Sequence, residues 1–188
     1  KGKANTSDSG DSSGSVGVAA ALAINVATSE AEASLGAVHI TAGEQFALKA
    51  ENNMDAAAIA DGSAAKGEGK DAEASKTAVG VAVAINVATM ENDARLAGTE
   101  VDANGVSVQA LMKDAGDKTH EFAAKATSGG SGGDTGVAGS FALNLILDAN
   151  TEARLGTGSI VDAGTGAVTV KAENTTESIV EAKASAEA

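Results

Sequence analysis

One phrase, written three times, constrains this chain more than anything else in it. Residues 16–28 read VGVAAALAINVAT, residues 79–89 read VGVAVAINVAT, and residues 137–147 give the looser VAGSFALNLIL. Aligned on the shared asparagine, the copies set Asn25, Asn86 and Asn144 at equivalent positions about 60 residues apart. The segment after each asparagine also recurs: EAEASLG at 30–36, ENDARLAG at 91–98 and NTEARLG at 150–156. A turn and a second apolar run come next, VHITAGEQFALKAEN at 38–52, VDANGVSVQALMKD at 101–114 and IVDAGTGAVTVKAEN at 160–174. A period this long over nearly the whole chain predicts a repeat protein in which each unit buries an apolar face against the next. The units fall at about 15–76, 77–134 and 135–188 of a single array, and the array reads as a piece of a longer polypeptide.

Within each phrase the side chains alternate. Val79, Val81, Val83, Ile85 and Val87 share one parity, and Gly80, Ala82, Ala84, Asn86 and Ala88 share the other. Period-2 alternation is the mark of a strand, and the valines and isoleucines favour it over the helix that alanine alone would suggest. The first and third units repeat this division into a bulky face and a Gly/Ala face. Ile24, Ile85 and Leu143 occupy equivalent bulky positions and are expected to form an apolar core column along the repeat axis. The Gly/Ala face is also expected to be covered, by another layer of the same chain or by a second molecule. The three asparagines are candidates for a stacked amide ladder, or for three separate caps.

The second runs alternate too, each after turn chemistry at Asn104-Gly105, at Gly164-Thr165-Gly166 or near Gly43. The third segments, MDAAAIADG at 54–62, HEFAAKATS at 120–128 and SIVEAKASAEA at 178–188, suit a strand or a short helix; strand is favoured by their neighbours. Low-complexity stretches at 6–14, 61–71 and 128–134 read as loops protruding from one side of the stack. The absence of proline fits continuous sheet.

Composition narrows the function classes. A net charge of −13 argues against nucleic acid and anionic membrane surfaces as partners. The apolar runs are about 12 residues long where a spanning helix needs about 20, so no membrane insertion is expected. Without cysteine there is no disulfide, thiolate metal site or cysteine nucleophile.

Residues Gly129 to Asp134 spell G-G-S-G-G-D, the opening of a calcium-binding nonapeptide. The motif occurs once, and Gly136 stands where a large apolar residue is needed. The expectation is therefore no cofactor and no metal, with calcium here as the single candidate. His39 and His120 occupy non-equivalent positions and make no recurring ligand set. The acidic pairs Glu30/Glu32 and Glu91/Asp93 read as a solvated rim rather than as general acid–base pairs. No nucleophile elbow, phosphate loop or zinc spacing is present, and the chain is not expected to be an enzyme.

The V-G-V-A-x-A-I-N-V runs, the A-R-L-G segments and the D-A-G-x-G-x-V-T-V-K-A-E-N runs together resemble the repeat arrays of giant bacterial surface proteins. Those include large adhesins, filamentous haemagglutinin-like proteins and autotransporter passenger regions, and the resemblance covers residues 15–188. It implies an all-β fold, a parallel β-solenoid (β-helix) of three units, on the bacterial cell surface or outside the cell, acting in adhesion or cell–cell contact. The partners it implies are further repeats of the same polypeptide, other cells, surface glycans or copies of itself. Each 60-residue unit would hold either about three coils of haemagglutinin type or one large coil. Two other classes remain open: a self-assembling filament or sheath subunit, and a β-helical polysaccharide-degrading enzyme.

Overall fold

The structure is a computed structural model that describes residues 2–7, 16–64, 77–131 and 134–187. Among these residues there is no helix, and every strand pairing is parallel. Strand β1 is Gly2–Ser7. The first unit then runs through β2 (Val16–Leu35), β3 (His39–Thr41), β4 (Phe46–Asn52) and β5 (Asp55–Ala64). The second runs through β6 (Thr77–Leu96), β7 (Glu100–Asp102), β8 (Val106–Met112) and β9 (His120–Gly130). The third runs through β10 (Thr135–Leu155), β11 (Ile160–Asp162), β12 (Val168–Ala172) and β13 (Thr176–Ala186).

Each strand pairs with its counterpart one unit away, giving sheets ordered β10-β6-β2, β11-β7-β3, β12-β8-β4 and β1-β5-β9-β13. Each unit therefore contributes one long and three shorter strands, one to each of four parallel sheets. The third segments are strands, not helices. The register keeps sequence equivalents together: Asn25 lies beside Asn86 and Asn86 beside Asn144, and Ile24 beside Ile85 and Ile85 beside Leu143. The third unit carries one extra residue between its asparagine and its A-R-L motif. A bulge between Ile146 and Asp148 absorbs it and restores the register.

Which face is inside is the principal correction. Ile24 is 53% exposed and Leu143 39%, and Ile85 is only half-buried, so these three residues are not core. The column exists, but on the outside of the sheet. The interior is the opposite parity: Ala19, Ala82, Ala84 and Asn86 are fully buried and Ala23 nearly so. The Gly/Ala face is thus covered within the chain. The reason lies in the facing sheet. Strands β5 and β9 also turn small residues inward, Ala58, Ala60 and Ala126, and the two alanine faces close into one seam with Ala21, Ala23, Ala82 and Ala84. Small side chains on both layers let the sheets approach closely. The valines and isoleucines outside shield one another along the columns, as β-branched neighbours do on a pleated surface.

The interior widens along the long strands. At its narrow end Gly62 and Gly80 are obligatory, because a Cβ on Gly80 would lie 2.0 Å from the Gly129 carbonyl oxygen and one on Gly62 1.9 Å from that of Val81. Alanine fills the next stretch. Then Met54, Met90 and Phe122 occupy the corner between layers. At the wide end Leu96, Val101, Val106 and Val108 form a conventional apolar core under β4, β8 and β12. Turn glycines behave as the sequence suggests at Asn104-Gly105, where Gly105 has φ 103°, and at Gly164, with φ 54°.

The proposed loops are shorter than expected. Residues 61–64 and 128–130 belong to β5 and β9, and Thr6–Ser7 to β1; residues 8–14 and 65–71 lie outside the described residues.

Candidate functional surfaces

The asparagines form a ladder rather than separate caps. Asn25 Nδ2 donates to Asn86 Oδ1 at 2.7 Å, and Asn86 Nδ2 donates to Asn144 Oδ1 at 2.8 Å. Each of the latter two amides also donates across the interior to the facing sheet, Asn86 to the Ala56 carbonyl (3.2 Å) and Asn144 to that of Phe122 (3.0 Å). A buried amide has both donors and its oxygen to satisfy, and stacking at strand spacing does this with like residues. The ladder stitches neighbouring units and opposing layers at once. Its role is structural.

A second set of asparagines also ties the layers and does not stand out in the sequence. Asn52 donates to the Glu91 carbonyl (3.0 Å) and accepts from Ser29 Oγ, and Asn174 donates to the Ala149 carbonyl (3.1 Å). In the middle unit Met112 takes the equivalent position, and Asn92 makes the bridge from the other side, to the Leu111 carbonyl. The available signal is the repeated K-A-E-N at 49–52 and 171–174.

The outer face of the long strands divides into two halves. The first is an uncharged grid. Val18 is 59% exposed, Val26 72%, Val81 42% and Phe141 52%, with Val16, Ile24, Val137, Leu143 and Leu145 similarly open. The second half carries Glu30, Glu32, Glu91, Asp93, Arg95, Glu152 and Arg154, several of which line a shallow open cleft. Glu30 and Glu91 stand side by side, as do Glu32, Asp93 and Glu152, one strand spacing apart. Arginines relieve the repulsion: Arg95 pairs with Glu32 at 3.0 Å and Asp93 at 3.7 Å, and Arg154 reaches Asp93 at 3.9 Å and Glu152 at 3.2 Å. Asp93 is not the solvated rim residue the sequence suggested; the two guanidiniums and its strand neighbours bury it to 7% exposure. Glu30, Glu32 and Glu91 are exposed as expected.

The two histidines differ in kind. His39 sits on β3 in the open, its Nδ1 3.1 Å from Glu100 and its Nε2 3.2 Å from the Thr41 hydroxyl. His120 is fully buried at the start of β9, with its ring stacked on Phe122. Met54 N–H donates to His120 Nδ1 at 2.9 Å, which requires the neutral ring. Burial pushes its pKa below the usual histidine value, against the upward pull of Asp55. On the surface, hydrogen bonds from Lys171 and Lys183 lower the pKa values of Glu173 and Glu181.

Of the calcium candidate, Gly129 and Gly130 end β9 and Gly136 lies in β10, while residues 132 and 133 lie outside the described residues. Among the described residues no group of three or more His, Asp or Glu side chains is placed to hold a metal ion. Comparison with family models, curated proteins and solved structures found no match.

Proposed function

We propose that this chain is a non-enzymatic stalk segment, a three-coil parallel β-solenoid of a large secreted bacterial surface protein acting in adhesion or cell–cell contact. The observation that supports this most is the unbroken residue-for-residue register of β2 and β6 over twenty positions, continued into β10 with a single bulge. A chain that repeats the same circuit in register extends in one direction by adding units, and such stacks serve as spacers and extended surfaces. The edges agree with a stack that continues. Strand β1 adds a fourth strand to one sheet ahead of β5, while β2, β3 and β4 present open edges on the same side. Further repeats of the same polypeptide are the natural partners for those edges, and glycans or other cells would be met along the outer faces.

In-frame deletion of these units from the parent polypeptide, with antibody labelling of intact cells, tests the reading. Surface labelling together with reduced cell attachment or aggregation in the deletion strain is the expected result. A parent protein found only inside cells would overturn it.

A further inference from the structure

The alanine seam accounts for the inner face of the long strands and leaves the outer face of their first half to be explained. Over Val16–Val26, Thr77–Val87 and Thr135–Leu145 the outward residues are Val, Ala, Leu, Ile, Phe, Gly and Thr, and none is charged. In a chain carrying 39 charged side chains, 26 acidic and 13 basic, such a blank is selective. At strand rise and spacing the grid covers roughly 500 Å². That is toward the upper end of the largest patch a monomer carries, such patches are often functional, and two such faces together bury about 1,000 Å², the lower bound of a specific interface.

The relief of the grid identifies the occupant. Its centre is the row Ala21, Ala82, Ser140, whose side chains point inward. On one side of that row stand Ala20, Val81 and Gly139; on the other stand Leu22, Val83 and Phe141. The first row is low at its two ends, Ala20 and Gly139. Above Gly139 there is open space, with nothing within 4 Å of where its Cβ would be. The second row is high, with Phe141 52% exposed. A two-fold axis along the stacking direction, over the central row, would lay a second copy on the first with its long strands antiparallel. Phe141 of each copy then meets the Gly139 pit of the other, Leu22 meets Ala20, and Val83 meets Val81. Pits receive knobs in the first and third units and valine meets valine in the middle one, the self-complementarity an isologous contact needs.

Charge favours the same arrangement. The second half of the outer face holds six carboxylates, Glu30, Glu32, Glu91, Asp93, Asp148 and Glu152, against Arg95 and Arg154. Antiparallel strands send the two acidic halves to opposite ends of the pair; parallel strands would superimpose them. We infer that a second copy of this chain docks face to face on the Val16–Val26, Thr77–Val87 and Thr135–Leu145 grid, about a two-fold axis parallel to the stack.

Sedimentation equilibrium of the intact chain, from about 1 to about 300 μM, should show a reversible monomer–dimer equilibrium, the affinity expected of so small an interface. Phe141→Glu and Ile24→Glu, each checked for an unchanged circular dichroism spectrum and melting temperature, should remain monomeric throughout. Because the chain lacks cysteine, geometry is read from mixtures of single-cysteine variants and a bis-maleimide of about 10 Å reach, the spacing of packed sheets. Val81→Cys mixed with Val83→Cys should cross-link at least tenfold more than Val81→Cys mixed with Thr89→Cys. A wild-type chain monomeric at all concentrations, open-ended oligomers, or dimers that survive both glutamate substitutions would each overturn the proposal. So would a chain that stays monomeric but floats with neutral phosphatidylcholine vesicles, since the occupant would then be lipid.

Discussion

Replacing Asn86 by alanine should be among the most damaging single changes in the molecule. The Asn86 side chain is fully buried and makes three hydrogen bonds, accepting from Asn25 and donating to Asn144 and the Ala56 carbonyl. Asn86→Ala leaves the Asn25 amide and the Asn144 oxygen without each other's bridge, at about 1–3 kcal/mol for each buried group left unsatisfied. A small cavity adds to this, so the total is about 3–5 kcal/mol. Asn25→Ala removes one ladder bond at the end of the row, where Asn86 keeps both its donations, and should cost about 1–2 kcal/mol. Asn86→Asp should do at least as much harm as alanine, since a carboxylate would face two acceptors, the Asn144 oxygen and the Ala56 carbonyl. Urea denaturation monitored by circular dichroism reads all three. With a slope of about 2 kcal/mol/M, the Asn86→Ala midpoint should fall by about 1.5–2.5 M. A loss below about 1 kcal/mol, or one no larger than for Asn25→Ala, would refute the ladder as a supporting element.

The same architecture sets three further outcomes. Gly80→Ala should cost about 3 kcal/mol or more, because two carbonyl oxygens stand within 2.7 Å of the new methyl, whereas Gly139→Ala meets nothing and should be neutral in thermal melts at dilute concentration. Ala82→Lys, in the seam, should prevent folding, while Ile85→Lys on the outer face should give a folded chain by circular dichroism. The unfolded chain takes up a proton at His120 more readily than the folded one, since the folded pKa is lowered below 6.5. Stability is therefore complete above about pH 6.5 and is lost as pH falls below it, by up to about 1.4 kcal/mol per pH unit. His120→Asn, which keeps an acceptor for the Met54 N–H, should remove that part of the slope in urea melts at pH 5 and pH 7.

The repeats, the strand assignments and the amide ladder are legible in the residues because each is local or periodic. Parity marks a strand, and like residues at like positions stack wherever units are in register. Even the bulge in β10 is visible as one added residue between Asn144 and Leu155 relative to Asn86 and Leu96. The direction of each face is not legible from the long strand alone. Bulky Ile24, Ile85 and Leu143 suit an interior by hydrophobicity, but the layer opposite decides what fits. That layer is set by Ala58, Ala60 and Ala126, some 35–44 residues away in sequence from the alanines of their own units in the same cluster. Alanine on both facing strands is the available signal. The burial of Asp93 is hidden for a similar reason, because its cover comes from Arg154 on the next strand as well as from Arg95 beside it.

The long strands of this fold share one arrangement: small side chains line the interior and the large apolar ones face outward. Cysteine labelling can read that arrangement position by position, since the wild-type chain has no thiol of its own. Single cysteines at Val83, Ala84, Ile85 and Ala88, in variants confirmed as folded, would be treated with a maleimide at nanomolar protein, where association is absent. Labelling should be fast at 83 and 85, within about tenfold of the urea-unfolded chain, and at least about a hundredfold slower at 84 and 88, where it is limited by opening of the fold. Protection at 83 and 85 with ready labelling at 84 and 88 would contradict the arrangement.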